Sequence, residues 1–498
     1  MTKHQLLFVV LLIFFGSSTA YPQVQFDENC RQAYNHILSL QLDEAEALLD
    51  DEEKQHPDNA YVPYLRNYID FISVFISQDD DLYNLLGDQK SNHFSKVGQL
   101  SDTNRYKKLM LGNMHLQWAI SKIIFGDLFT GAIEFNKTYH LIEDNTEEFP
   151  DFKLNQLSMG VLHIIVGLVP DKYGWLLGLL SLEGDIDEGK KELSEFLSVA
   201  KSQDEYNAYY PETLFYSGFI EMNIYPDKRK LDQILQDVSH VDDSVLLLKF
   251  LELNLLMRSG ANDEALILFR RIANKKIHTY PFAYLDYLYG ESQLRSLNTD
   301  SARYNYTRFI TNYRGKNYIK DAWRKKAWTA FLNDDTTLYF NYLKRVLKEG
   351  TMQLDVDKEA YHEAQKGLLP DKQLLTARLL FDGGYYEKTQ DLLNNIDTSG
   401  YTALQQVKYI YRLARVSDKL GAVTKAKTYY LQAIIKGTGF PEYYAANAAF
   451  KLGEIYEREG ELKLAEESYA LCLDMDFELY KNSITTRAKE GLKRVRLR

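Results

Sequence analysis

The sequence predicts an all-α protein, a solenoid of helix pairs stacked side by side. Its C-terminal part repeats one spacing of small and aromatic residues: Ala426 and Ala465 take the small position in successive units, and Tyr430 and Tyr469 each follow about one helical turn later. Small residues at such positions let two helices cross closely, while large residues fill the groove beside the crossing. The 498 residues include only 10 prolines and no linker rich in Gly, Ser and Pro, which favours one continuous stack over several globular domains.

The last two units show the pattern most clearly. The final unit contains Leu452-Gly453-x-x-Tyr456, Gly460, Ala465, Tyr469 and Cys472, and the unit before it contains Leu413-Ala414, Gly421, Ala426, Tyr430 and Ala433. These residues resemble the tetratricopeptide repeat. The resemblance implies a right-handed superhelix of antiparallel helix pairs, and it implies a binding surface rather than an enzyme.

Units further upstream share this spacing. The small and aromatic packing positions there are Thr389, Ala265 with Phe269, and Ala302 with Tyr306. Ala302 follows Ala265 by 37 residues, and Thr389 precedes Ala426 by the same number. The units are thus about three residues longer than the usual period of ~34.

Two further segments fit a unit of this kind. One more step of 37 residues reaches Asp321–Trp328, where Trp323 occupies the aromatic position that opens the family's pattern. Near the N-terminus, Ala45 takes the small position, and Pro57 closes the second helix as the terminal proline of the family does. Both segments are therefore predicted to form helix pairs.

Residues from about 60 to 240 match less well and are predicted to be helical from their periodicity. Within them, Pro170 divides the apolar stretch 162–182 into pieces too short to cross a membrane, so these pieces are predicted to be buried helices. The glycine-rich run from Tyr173 to Gly189 resembles a turn of the tetratricopeptide-39 family. We expect divergent repeats over 21–240, central repeats over 241–350, and C-terminal repeats with a capping helix over 351–498.

The segment 1–20 has the three parts of a secretory signal peptide. Lys3 and His4 precede an apolar run from Leu6 to Phe15, and small residues follow up to Ala20. We expect cleavage after Ala20 and export to the periplasm or the extracellular space, as in an exported bacterial-type repeat protein; an uncleaved anchor is the alternative. No cysteine stands where a lipoprotein needs one, so lipid anchoring is not expected.

Charge and cysteine content narrow the function classes. A formal net charge of −11 disfavours general affinity for nucleic acid, as does export. Cys30 and Cys472 lie near opposite ends of the chain, so a disulfide between them is not expected. Cys472 occupies a small packing position of the repeat and is predicted to be a buried thiol.

No catalytic motif stands out. His362-Glu363 lacks the second histidine of a zincin helix, and no Gly-x-Ser-x-Gly or phosphate-binding glycine loop occurs. The paired carboxylates at 79–81, 50–53 and 334–335 are interpreted as helix caps and solvated ends, and His163 as a core residue. The sequence therefore predicts no catalytic residue, no metal and no cofactor.

The candidate partner-binding residues lie on the first helices of the last two units. The resemblance places these helices along the concave groove, where the outward residues are Lys408, Tyr411, Arg412, Arg415, Asn447, Phe450, Lys451 and Arg458. Such a basic and aromatic wall suits an acidic or C-terminal peptide segment. Lys408 and Arg412 resemble one end of a carboxylate clamp, but Leu375–Arg378 lacks the companion asparagine.

A second basic cluster runs from Arg303 to Trp328 and contributes Arg324 and Trp328 as candidates. It is predicted to be a solvated helix face with aromatic packing behind it, or else a site for acidic proteins, anionic glycans or lipid head groups. The favoured function is a non-catalytic exported scaffold or adaptor that binds protein or peptide segments. The alternatives are a glycan- or polymer-binding receptor and an all-helical envelope enzyme.

Overall fold

The computed structural model of the protein describes residues 23–169, 178, 180–224, 226–275 and 277–497. Over these residues the structure has 24 α-helices and one short 3-10 helix, and its only β pairing is an isolated bridge between Gln23 and Asn59. The predicted all-α fold of repeated helix pairs is confirmed. The predicted signal peptide (1–20) and residues 173–177 of the glycine-rich run lie outside the described residues.

The chain divides into two compact units. The first comprises the residues up to Ser217 with Val245–Leu248 and His278–Tyr280, and the second comprises Gly218–Ser244, Lys249–Ile277 and Pro281–Arg498. The divisions expected at residues 240 and 350 stay predictions. No helix within the described ranges is both long enough and apolar enough to cross a membrane.

Five helices of the first unit begin at a residue whose side chain caps them. They are α1 (Glu28–Leu38), α2 (Leu42–Gln55), α3 (Tyr61–Ser77), α4 (Asp80–Gly98), α5 (Arg105–Ile124), α6 (Leu128–Glu148), α7 (Leu154–Gly167) and α8 (Ile186–Ser202), followed by the 3-10 helix Asn207–Tyr209 and the start of α9 (Tyr210–Asn223). Asp27, Asp79, Asn104, Asp127 and Asp185 each accept a hydrogen bond from a backbone N–H of the first turn that follows. A carboxylate is favoured there because the first N–H groups of a helix have no partner inside it.

Buried tyrosines of the first unit converge on one carboxylate. Glu212 of α9 accepts hydrogen bonds from the hydroxyls of Tyr34, Tyr68 (2.6 Å) and Tyr216 (2.9 Å). A buried hydroxyl needs a partner, and a carboxylate can accept several hydrogen bonds at once. Glu212 thereby ties α1 and α3 to α9.

The second unit continues the chain from the end of α9. Its helices are α10 (Lys228–Ser239), α11 (Leu246–Ser259, which begins in the first unit), α12 (Asn262–Asn274), α13 (Tyr284–Arg295), α14 (Thr299–Asn312), α15 (Ile319–Leu332), α16 (Thr336–Lys348), α17 (Asp355–Lys366), α18 (Lys372–Asp382), α19 (Tyr386–Asn394), α20 (Ala403–Lys419), α21 (Val423–Gly437), α22 (Tyr444–Glu459), α23 (Leu462–Asp474) and α24 (Lys481–Arg496). The pairs α13/α14, α15/α16, α18/α19, α20/α21 and α22/α23 pack together, and α24 packs on the last pair. Short connections between the packed helices make each pair antiparallel.

The small positions of the repeat lie in the core of these pairs. Fully buried residues include Ala45, Ala265, Ala302, Thr389, Ala426, Ala465, Tyr306, Tyr430, Tyr469 and Cys472, while Phe269 and Leu452 are 5% and 3% exposed. Gly453 is buried, Tyr456 is half-buried, and Pro57 is exposed just after α2 ends. The structure thus places a small or apolar side chain at each helix crossing that the spacing indicated.

Tyrosine rings fill the space that glycines leave open. A Cβ atom on Gly453 would lie 2.6 Å from the Tyr469 ring, and one on Gly491 would lie 2.5 Å from it. In the pair α13/α14, a Cβ atom on Gly290 would lie 2.9 Å from the Tyr306 ring. Tyr306 and Tyr469 have the same separation in sequence from the glycine of the first helix, so the same packing recurs in two units.

We expect Gly453→Val to destabilise the protein by about 1–3 kcal/mol, because the added atoms overlap the Tyr469 ring in a close-packed core. The free energy of unfolding from urea titration measures the effect. Gly400→Ala is the matched control, since no atom lies within 4 Å of a Cβ at that exposed position. Equal stability of the two variants would contradict this account of the packing.

Candidate functional site

The basic residues predicted on α20 share one face of that helix. Lys408, Tyr411, Arg412 and Arg415 follow the helical spacing of three and four residues, and α22, which packs against α20, adds Asn447 and Lys451. A capping box of Thr402 and Gln405 fixes the start of α20. We call these six side chains, four on α20 and two on α22, the basic face.

Tyr411 was predicted to face outward, but it is only 3% exposed and therefore supports the basic face from within the core. Its hydroxyl oxygen accepts one hydrogen bond from Arg415 Nη1 and one from Asn447 Nδ2, both at 2.9 Å. The Arg415 guanidinium also lies 4.7 Å from the centre of the Phe381 ring. These contacts hold Arg415 in one orientation by hydrogen bonding and cation–π attraction.

Three cations of the basic face form no ion pair among the described residues, although Glu442 attracts Lys408 and Asp382 attracts Arg415 from further away. Among the described residues, no carboxylate oxygen lies within 4.0 Å of a side-chain nitrogen of Lys408, Arg412 or Arg415. The Nε atom of Arg412 is buried and has no hydrogen-bond partner there. Burial and the nearby Arg412 guanidinium lower the pKa of Lys408. The fold therefore places no carboxylate close to these three half-buried side chains.

One polar atom of the Asn447 amide has no hydrogen-bond partner among the described residues. Its Oδ1 atom is buried and without a partner in the described part of the chain, while its Nδ2 donates to Tyr411. The two amide orientations are nearly equivalent by shape. In one orientation the Tyr411 O–H has no acceptor, and in the other the Asn447 N–H₂ has none. Either way, an unpartnered polar atom of Asn447 lies beside the basic residues.

Lys451 and Arg458, which were also predicted to contact a partner, already form ion pairs within the protein. Lys451 donates to Glu454 at 2.5 Å, and Arg487 of α24 lies 3.3 Å from the same carboxylate. Arg458 is exposed and pairs with Asp418 at 2.8 Å. The unneutralised charge of this region is thus concentrated on α20.

Arg324 and Trp328 lie in a different environment from the one predicted. The sequence favoured a solvated face for their helix, but every residue of α15 from Ile319 to Phe331 is buried. Arg324 pairs with Asp321 of its own helix and with Glu359 of α17 at 2.9 Å. The prediction of a solvated face is wrong because carboxylates pair with Arg324 and Lys325, while Lys326 lies over the rings of Trp323 and Tyr342.

Trp328 joins the same network. Its Nε1 donates to Glu363 of α17 at 2.7 Å, and the charged groups of Arg324, Lys325 and Arg378 lie 4.8, 5.0 and 5.2 Å from its ring centre. Three cations around one indole are held by cation–π attraction as well as by the carboxylates. Trp328 is 2% exposed and is not available to a partner.

Sequence reasoning missed the carboxylates that neutralise α15. Glu359 and Glu363 come from α17, and Glu291 of α13 accepts from Lys325 at 2.6 Å. Glu359 also accepts from the hydroxyl of Tyr480 at 2.7 Å. The separation of one helical turn between Glu359 and Glu363 was a visible signal, since it places both carboxylates on one helix face.

Comparison with known proteins identifies the last helix pair. Residues 446–478, which span α22 and α23, match the tetratricopeptide repeat family. The last helix pair is a tetratricopeptide repeat. The match covers Leu452, Gly453, Ala465, Tyr469 and Cys472, so the family predicted from these residues is confirmed. No curated protein matches the chain in sequence.

Three solved structures resemble this repeat protein over most of its length. They are the P58(IPK) TPR domain (14% identity, 83% of this chain and 94% of that one, TM-score 0.23), the APC/C hetero-tetramer Cut9-Hcn1 (13%, 98% and 98%, 0.28) and the human IFIT1 dimer with PPP-AAAA (13%, 95% and 96%, 0.30).

The two cysteines of the repeat protein are buried and free, as their positions in the sequence indicated. Burial raises the pKa of the Cys472 thiol to about 12, and burial with the Asp27 and Glu52 carboxylates raises the pKa of Cys30 further still. Thiols of this kind react slowly because the thiolate is the nucleophile.

Two groups of described side chains could hold a metal ion. They are Asp27 with Glu52 and His56, and His163 with Glu188 and Glu192. His163, which the sequence placed in the core, is half-buried and donates from Nδ1 to Glu192 at 2.8 Å. The paired carboxylates of the sequence act as supports: Asp79 and Asp335 cap helices, and Asp50 and Glu53 pair with Arg66.

The pKa of Asp357 makes stability depend on pH. This carboxylate accepts hydrogen bonds from the backbone N–H groups of Tyr318 (2.8 Å) and Asp321 (3.0 Å) at the start of α15. Burial outweighs these hydrogen bonds, and with the nearby Asp321 carboxylate it raises the pKa of Asp357 to about 6. The folded state therefore binds this proton more tightly than the unfolded chain does, and its contribution to stability grows as the pH falls through 6.

We expect the wild type to become more stable relative to Asp357→Asn as the pH falls. From about pH 7.5 to about pH 4, the shift in free energy of unfolding should reach up to about 3 kcal/mol, at ~1.4 kcal/mol per pKa unit. Urea titrations of both proteins across this range measure it, with the exposed Asp300→Asn as control. A difference that stays constant with pH would contradict the raised pKa.

Proposed function

We propose that this tetratricopeptide-repeat protein is a non-catalytic scaffold that holds an acidic segment of a partner protein against the basic face. The observation that carries the proposal is the set of three cations, Lys408, Arg412 and Arg415, that have no carboxylate partner among the described residues. Repeats of this family are typically protein-interaction modules, which supports a protein as the partner.

The energetics of the basic face favour an anionic ligand. Lys408, Arg412 and Arg415 are half-buried, so water solvates them incompletely. A carboxylate that reaches them would gain charge-assisted hydrogen bonds worth about 1.5–3 kcal/mol each. The fixed Arg415 guanidinium loses little conformational freedom on binding, because Tyr411 and Phe381 already hold it. Affinity would therefore come from several small contacts along the helix face.

A second part of the proposal concerns location. We propose that the chain is exported, with cleavage after Ala20, because residues 3–20 carry the charge, the apolar run and the small residues of a signal peptide. The partner would then be a periplasmic or extracellular protein. An intact mass that begins at Tyr21 in the secreted fraction would support this, and a mass that retains Met1 would contradict it.

The tyrosines bear on the glycan-receptor alternative. A sugar-binding platform needs rings that face solvent, but Tyr411, Tyr430 and Tyr469 of the C-terminal units are at most 3% exposed. Among the aromatic residues described, Tyr304 is 64% exposed and Phe129 is 77% exposed. The abundance of tyrosine is thus largely explained by packing, and we favour the protein-binding scaffold.

The proposal predicts that Arg412→Glu with Arg415→Glu abolishes binding of an acidic segment. The probe is a fluorescein-labelled peptide rich in glutamate, and its anisotropy is measured against wild type at low salt and at about 0.5 M salt. We expect at least about tenfold weaker binding by the double variant, and loss of wild-type binding at high salt. A glutamine-rich peptide of the same length should not bind.

The matched control is Lys425→Glu with Lys436→Glu. These exposed lysines lie on α21, the second helix of the same pair, so the control changes the net charge equally without touching the basic face. Circular dichroism checks that both double variants remain helical. The proposal fails if the control loses as much affinity as Arg412→Glu with Arg415→Glu, or if that variant binds like the wild type.

A further inference from the structure

Helices α7 and α8 of the first unit bring an imidazole and two carboxylates together. Glu188 and Glu192 lie one turn apart on one face of α8, and His163 lies opposite them on α7. The His163 Nδ1 atom lies 2.8 Å from Glu192 Oε2, and one ligand atom of each residue lies within 4.8 Å of the others. These three side chains are called the α7/α8 triad.

Glycines hold the two helices at backbone distance beside the triad. A Cβ atom on Gly189 would lie 2.5 Å from the Gly160 carbonyl oxygen, and one on Gly184 would lie 2.7 Å from the His163 carbonyl oxygen. Neither helix can move apart or rotate without losing this contact. The triad is therefore set on two rigidly paired helices, which is the preorganisation that a binding site requires.

The charge of the α7/α8 triad is unbalanced. In the part of the chain that the structure describes, no lysine or arginine forms an ion pair with Glu188 or Glu192. The carboxylate of Asp185, which caps α8, also attracts the protonated His163 ring. The His163 side chain is 14% exposed and Glu192 is 22% exposed, while Glu188 is exposed. One imidazole thus faces an excess of carboxylate charge in a half-buried position that solvent ions can reach.

We propose that His163, Glu188 and Glu192 bind a divalent transition-metal ion of the Zn²⁺ type, which ties α7 to α8. A nitrogen ligand beside two carboxylates favours Zn²⁺ and its neighbours over Ca²⁺ and Mg²⁺, which take oxygen ligands. Two ligands of one zinc ion lie at most about 4.2 Å apart, twice the usual metal–ligand distance, so a small rotation of the exposed Glu188 side chain completes the set. Water would fill the remaining position.

The other group of potential ligands is less suitable. Glu52 is fully buried and already accepts hydrogen bonds from Asn29 (3.2 Å), Asn59 (2.9 Å) and His56 (2.9 Å), and Asp27 caps α1. A metal ion there would have to displace several buried hydrogen bonds. At the α7/α8 triad it would replace a single one, between His163 and Glu192.

The test uses Co²⁺ as a spectroscopic probe and Zn²⁺ as its competitor, both added to the purified metal-free protein. We expect one Co²⁺ per chain with the visible absorption of a low-coordinate site, displaced by one equivalent of Zn²⁺. Glu188→Gln should weaken Zn²⁺ binding by at least about tenfold in calorimetry, because one ligand loses its charge at an exposed position that folding does not need. His163→Ala should abolish the absorption.

Glu195→Gln is the control, since it removes the same charge from an exposed position further along α8 and outside the α7/α8 triad. It should bind both metals like the wild type. The circular dichroism of each variant shows whether its helices are intact. The proposal is overturned if the wild type shows no stoichiometric binding, or if Glu188→Gln and Glu195→Gln bind equally well; the latter would indicate diffuse attraction to acidic surface.

Discussion

Two helix pairs of the second unit, α13/α14 and α22/α23, depend on one contact, a tyrosine ring packed where a glycine has no side chain. Tyr306 lies on Gly290 and Tyr469 on Gly453, and the ring sets how closely the two helices of a pair approach. The far end of the ring carries a hydroxyl that must find a partner when buried. It finds Glu291 in one pair and Glu457 in the other, at 2.6 and 2.7 Å. In both pairs, the buried tyrosine hydroxyl therefore requires a carboxylate on the first helix.

The pair α20/α21 departs from this arrangement, and the departure explains its charge. Ala414 takes the place of the glycine, and Tyr430, which has the same separation from it in sequence, belongs to the same core cluster. The residue after Ala414 is Arg415, whereas the residue after Gly290 is Glu291. The Tyr430 hydroxyl has no partner among the described residues. A cation therefore stands where the α13/α14 pair has the carboxylate, and its charge is not cancelled by the fold.

Half-buried cations without partners are costly to keep. Desolvation of a charge is not repaid unless an opposite charge or several hydrogen bonds compensate for it. On α15 the fold compensates, since Arg324 meets Asp321 and Glu359, and Lys325 meets Glu291. On α20 it does not. Proteins tolerate such local costs mainly where binding requires them, which is why the basic face rather than α15 is the better candidate for a partner.

The sequence predicted what depends on local spacing. The small positions Ala302, Ala426 and Ala465 recur at regular intervals and are buried, because helix crossings repeat with the chain. The face of α20 from Lys408 to Arg415 also follows from periodicity alone. The burial of α15 could not be predicted in this way, because its acidic partners Glu291 and Glu359 come from other helices, about one repeat away along the chain. The spacing of Glu359 and Glu363 indicates an acidic helix face, but it does not indicate which basic helix that face will meet.

Helix α17 explains why the two basic helices differ. It stands between the pairs α15/α16 and α18/α19 and belongs to neither of them. The Glu359 carboxylate lies 2.9 Å from Arg324 of α15 and 3.2 Å from Arg378 of α18. It therefore neutralises positive charge on α15 and α18. On α20, Lys408 forms no ion pair with α17, and it is attracted from a distance by Glu442 and more weakly by Glu363. The cations of the basic face therefore lie beyond ion-pair distance of the α17 carboxylates. An acidic segment of a partner would neutralise α20 as α17 neutralises α15.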